Sequence, residues 1–253
     1  MVGLLGGQLL LAGLMMSGDL MAALPRFGLS SPPPDFDAPT RPGDQTRKFS
    51  PRRMPLGPAR DGNPARPFRN TGEMPDRLTM ERAGDALTLT GMIEEGDSAR
   101  FAEALDGAEG LARIRLNSPG GSVQDALKIG RKVREAALST VMEVDDICLS
   151  ACPYILAAGV ERRLQAGAQV GVHQHYFGAN VVLPAFIAVG DIQRGQGEVM
   201  GYLDAMGVDP LLMQPALLTP SDEIYVLTDE ELTRFRLVTD IADGPGESQK
   251  APP

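Results

Sequence analysis

One stretch limits the possible folds more than any other. Ala112 to Leu116 (ARIRL) reads as a strand and runs straight into Asn117-Ser118-Pro119-Gly120-Gly121-Ser122. Beyond it, Val123, Ala126, Leu127, Gly130 and Val133 recur at helical spacing. Pro119 biases the residue before it away from helix, and the two glycines open backbone conformations closed to other residues. The stretch is therefore strand, tight turn, helix.

The pattern extends on both sides. Ala86 to Thr90 (ALTLT) alternates like a half-buried strand, and Asp97 can cap a helix through Asp106. Thr140 to Val144 is a further strand, followed by a small-residue helix from Ser150 to Ala158. Gln169 to Val172 forms a short strand ending at His173, then Ile187–Met206 and Asp209–Leu218 read as helices. Strands and helices alternating at this length predict an α/β domain with a parallel sheet, spanning about residues 83–240.

The flanks differ in kind. Val2 to Leu24 is interrupted only by Gln8, Ser17 and Asp19. Such a run is long enough to cross a hydrocarbon core of about 30 Å. Residues 1–25 therefore read as a transmembrane anchor or a signal segment. No positive n-region precedes the run, yet Met21-Ala22-Ala23 offers small residues for cleavage, so both readings stand. Twelve of the 21 prolines fall between Pro25 and Pro75. Residues 26–82 thus read as a disordered Pro/Arg-rich linker, and residues 241–253 as a disordered tail. Arginines just after the apolar run favour a cytoplasmic C-terminal side for an uncleaved anchor.

Net charge of −9 argues against nucleic acid as a partner. The only cysteines, Cys148 and Cys152, lack the further ligands of a zinc site. No metal or other cofactor is expected. The absence of a P-loop leaves any ATP dependence to another chain.

Three pieces carry chemistry. Amides on the Pro-Gly-Gly turn can point at an anion, such as a tetrahedral oxyanion, though by itself the turn reads more simply as a strand-to-helix connection with Ser122 as cap. Ser150 follows a strand and opens a helix, where it is either a held nucleophile or a simple N-cap. His173 and His175 are the only histidines, and an imidazole at a strand end can be a general base if it reaches the serine. A metal-binding His173–His175 pair has no supporting cluster.

The order and spacing of the three pieces resemble the proteolytic subunit of Clp protease, within the Clp protease/crotonase superfamily. The residues carrying the resemblance are LNSPGG at Leu116–Gly121, CLSAC at Cys148–Cys152 and VGVHQ at Val170–Gln174. Ser150 lies 30 residues after Gly120, and His173 lies 23 after Ser150. The likeness covers about Gly84 to His173 and fades beyond. It is closest to bacterial membrane-associated or periplasmic members of the superfamily.

The resemblance implies repeated ββα units and a set of roles. Ser150 is the nucleophile, His173 the base, and the N–H groups of Gly121 and Ala151 the oxyanion hole. Asp222 is the orienting carboxylate, with Glu223 as runner-up. It also implies a peptide or protein substrate and homo-oligomerisation through the long helix. The expected place is a bacterial inner membrane, with attachment through the N-terminal segment and the catalytic domain periplasmic. In the family the serine lies in a Gly-x-Ala-x-Ser-Met-Gly context; here cysteines flank it. Cys152 is a weaker rival nucleophile, and a Cys148–Cys152 bridge bracing the serine is a further possibility. Two other functions remain open: a non-catalytic Clp-like scaffold, and a crotonase-type acyl-CoA enzyme needing only the oxyanion turn.

Overall fold

The computed structural model of the protein describes residues 45–49, 74–175 and 185–242. The N-terminal apolar segment, the rest of the linker and residues 243–253 lie outside the described residues. No helix among the described residues is long and apolar enough to cross a membrane. All of them belong to one unit, Asp44–Pro253.

In chain order the elements are β1 (Thr46–Lys48), β2 (Thr79–Ala83), β3 (Ala86–Thr90), α1 (Asp97–Asp106), β4 (Arg113–Asn117), α2 (Val123–Glu135) and β5 (Ser139–Met142). Then follow β6 (Ile147–Leu149), α3 (Cys152–Ala158), β7 (Arg162–Gln165), β8 (Gln169–Val172) and α4 (Ala185–Ala205). A 3₁₀ turn (Pro210–Leu212), α5 (Met213–Leu218), β9 (Glu223–Val226), α6 (Asp229–Arg234) and β10 (Asp240–Ala242) complete the set. The architecture is mixed α/β, as the strand–helix alternation predicts.

The central sheet has the order β10-β7-β5-β4-β3-β2. Its pairings are parallel from β3 through β10, and β2 closes the edge as an antiparallel hairpin with β3. Alternation decides its faces. Leu87 and Leu89 of β3 and Ile114 and Leu116 of β4 point into the core, while Arg113 and Arg115 point out. Helix α2 lies against it, capped by the Ser122 hydroxyl accepting from the Asp125 N–H, with Leu127, Ile129 and Val133 buried. Helix α3 packs on α2 and is buried along its entire length.

A smaller sheet, β1-β9-β8-β6, meets the central one at the end of β4. Ser118 N–H donates to the Ile147 carbonyl at 2.8 Å, and Leu149 N–H donates to the Ser118 carbonyl at 3.0 Å. The Pro-Gly-Gly turn therefore emerges beside the end of β6, where Ser150 follows.

Several sequence expectations need correction. The stretch read as a disordered linker contributes β1, a buried Phe49, residues 74–78 and most of β2. Thr46–Lys48 of this tether pair with the open edge of β9, a long-range pairing invisible to composition. The tail begins later than residue 241, because Ile241 and Ala242 extend β10 alongside β7. The helix after Ser150 starts at Cys152, leaving Ser150 and Ala151 in a turn. Asp97 is not a cap but the buried first residue of α1, its carboxylate accepting from Arg77 at 2.8 Å and Arg100 at 2.7 Å.

Candidate active site

Strand β6 ends at Leu149, and the chain must turn sharply to enter α3. Ser150 makes that turn with φ at +60°. A non-glycine residue in the left-handed region costs about 1–2 kcal/mol, so the surroundings must hold it there. Ser150 N–H donates to the Gly171 carbonyl at 2.9 Å, tying the turn to β8. A disulfide between Cys148 and Cys152 closes over the same turn, and both cysteines are fully buried. Cys152 is thus a bridge partner, not a free thiol.

The third restraint is the Pro-Gly-Gly turn. Gly120 has φ +96°, and a Cβ there would fall 2.6 Å from Ser150 Cβ and 2.8 Å from Ala151 N. Gly121 has φ +139°, and a Cβ there would run into the Ile93 carbonyl. Only glycines let the turn lie this close to the serine. Among the described residues, the N–H groups of Gly121 and Ala151 donate to no protein acceptor. Gly121 is exposed and Ser150 half-buried, so the serine side chain is reachable from solvent.

Strand β8 delivers His173. Its Nε2 lies 2.7 Å from Ser150 Oγ, and its Nδ1 lies 3.0 Å from the carbonyl oxygen of Ser221. A carbonyl can only accept, so Nδ1 carries the proton and Nε2 presents its lone pair to the serine hydroxyl. This is the tautomer a general base needs. Burial pushes the His173 pKa below the usual histidine value, partly offset by the main-chain hydrogen bonds at Ser221 and Glu223. The imidazole is therefore neutral near pH 7.

Sequence reasoning named Ser150, His173, Gly121 and Ala151, and the structure brings all four to this corner. Asp222, expected to orient the imidazole, is exposed on the loop entering β9. The acceptor found at Nδ1 is the main-chain oxygen of the residue before it. Sequence reasoning missed Ser221 because any residue type can present a carbonyl. It also missed Phe49, whose ring meets the His173 ring edge-on at 5.1 Å. A lone aromatic in a proline-rich tether gives no periodic signal. His175, the other histidine, has a different partner: its Nε2 is 2.6 Å from the hydroxyl of buried Tyr154. Burial, with the nearby His173, lowers its pKa to about 4. No cluster able to hold a metal ion occurs among the described residues.

No protein-family model and no curated protein matches the sequence.

Proposed function

We propose that the chain is a serine-type acyl hydrolase of the Clp protease/crotonase kind, acting on peptide or protein substrates. One observation carries the reading: the 2.7 Å hydrogen bond between Ser150 Oγ and His173 Nε2, with the serine held at φ +60° on a strand-to-helix turn. A serine that only capped α3 would gain nothing from the strained backbone or from a buried neutral imidazole at its hydroxyl.

The geometry supports the following steps. Ser150 Oγ attacks the substrate carbonyl carbon while its proton passes to His173 Nε2. The oxyanion that forms takes hydrogen bonds from the N–H groups of Gly121 and Ala151, each worth on the order of 3 kcal/mol of barrier in such sites. His173 returns its proton to the leaving group, and water then releases the acyl group by the reverse sequence. The Ser221 carbonyl holds Nδ1–H throughout and stabilises the transient imidazolium. Asp222 contributes charge at the edge of this loop.

The disulfide supports an oxidising compartment. That accords with a periplasmic catalytic unit attached to a bacterial inner membrane through residues 1–25. Exposed Val189 and Met200 on α4 support self-association through that helix.

The test is labelling of the folded full-length protein with a fluorophosphonate probe. Modification is expected at Ser150 and is expected to vanish in Ser150→Ala and His173→Ala. An unlabelled wild-type protein would overturn the reading.

A further inference from the structure

We propose that Phe49, on the tether before the catalytic unit, is a positioning residue for His173, so that the segment Gln45–Phe49 is part of the active site.

The two faces of the small sheet supply the first part of the argument. Alternation along β8 puts Val170 and Val172 into the main core and Gly171 and His173 on the other face. Ile147 and Leu149 of β6 and Ile224 of β9 share that second face with the histidine. Phe49 and Met74 cover it. Phe49 is itself only 8% exposed, and His173 6%. The aromatic edge contact at 5.1 Å and 80° places the Phe49 ring where water would otherwise reach the imidazole.

The main chain supplies the second part. Strand β1 pairs antiparallel with β9, with Thr46 opposite Tyr225 and Lys48 opposite Glu223. Phe49 N–H then donates to the Asp222 carbonyl at 2.9 Å. The neighbouring carbonyl, Ser221, is the one that accepts from His173 Nδ1. One residue therefore acts on the histidine twice, shielding the ring with its side chain and holding the acceptor loop with its amide.

Among the described residues, the titratable groups near this corner are His175 beyond β8, Asp222 on the loop before β9, and Glu223 and Tyr225 on β9. Substituting Phe49 leaves every one of them in place. A change in His173 titration then reports loss of the ring and not loss of a charge.

The labelling arm of the test rests on the hydrolase reading; the titration arm does not. The full-length protein with isotope-labelled histidine gives two imidazole signals by NMR, assigned with His175→Gln. In Phe49→Ala the His173 midpoint is expected to rise toward the ordinary value near 6.5, as water reaches the ring. Fluorophosphonate labelling at neutral pH is expected to slow on the order of tenfold, as the imidazole loses its fixed position. Phe49→Leu, which refills the space, is expected to restore both to within about twofold. If Phe49→Ala does not fold, Phe49→Val removes the ring with less loss of packing, and the same comparison holds. A folded Ala or Val variant with an unshifted His173 midpoint would overturn the proposal. Wild-type protein that titrates as expected but takes no label would sink the hydrolase reading alone.

Discussion

His173 Nδ1 donates to the main-chain carbonyl of Ser221 at 3.0 Å, so the imidazole opposite Ser150 is oriented by backbone. A neutral acceptor stabilises an imidazolium less than a carboxylate does. The imidazole therefore presents Nε2 to Ser150 and is held low in pKa by burial.

This predicts a mild effect of Asp222→Asn. Where a buried carboxylate orients the histidine, the same change costs about ten-thousand-fold in rate. Here Ser221 keeps the tautomer, and labelling of Ser150 should fall by less than about tenfold. Labelling rates measured against pH should show an acid limb below the ordinary histidine range in both proteins. A loss as large as that of His173→Ala would show that the carboxylate is indispensable.

The backbone at Ser150 predicts an ordering of stabilities. Glycine relieves the left-handed conformation and alanine does not. Ser150→Gly should be more stable than Ser150→Ala by about 1 kcal/mol after its greater unfolded-state freedom is counted, and so unfold at a higher denaturant midpoint. Neither should take label. Equal midpoints would mean that the turn relaxes.

The Cys148–Cys152 bridge closes a ring of five residues around the serine. A loop this short restrains the unfolded chain by about 2 kcal/mol on the chain-entropy relation. The Cys148→Ser/Cys152→Ser double variant should lose about that much stability and label more slowly. Because both sulfurs are buried, the thiols released by reduction should appear to an alkylating reagent chiefly after unfolding. Rapid reduction and alkylation of the native protein would contradict this.

Acid should weaken the fold through the histidines. His175 titrates near pH 4 when folded and near 6.5 when unfolded, so the unfolded chain takes up the extra proton in between. Stability is full above about 6.5 and falls as pH drops toward 4, by at most about 3 kcal/mol from this residue. Urea midpoints at pH 7.5 and 4.5 measure the loss. His175→Gln should flatten part of it, while His173, also lowered, contributes in the same direction.

Part of the corner around Ser150 was legible in the chain because its turn is tied to local backbone demands. Gly120 and Gly121 must be glycine where the turn crowds Ser150, and Val123, Ala126 and Leu127 announce the helix that follows. Strand β6 was not legible: its Ile-Cys-Leu is buried on both faces and three residues long, too short for a period. Strand β1 was hidden for another reason. Thr46-Arg47-Lys48 has no apolar alternation, and only the free edge of β9 makes it a strand.

The amino-acid sequence by itself determined the α/β alternation and the glycine turn, which follow from side-chain periodicity and from the few residues able to make a sharp turn. The pairing of Ser150 with His173 was suggested by the spacing that carries the resemblance, not by periodicity. Only the tertiary structure decided what surrounds the histidine: the Ser221 carbonyl at Nδ1, Phe49 on the ring, and the closed bridge over the serine. Main-chain acceptors carry no residue signature, and edge pairing joins residues more than 170 positions apart. Such contacts come into being only once the chain has folded.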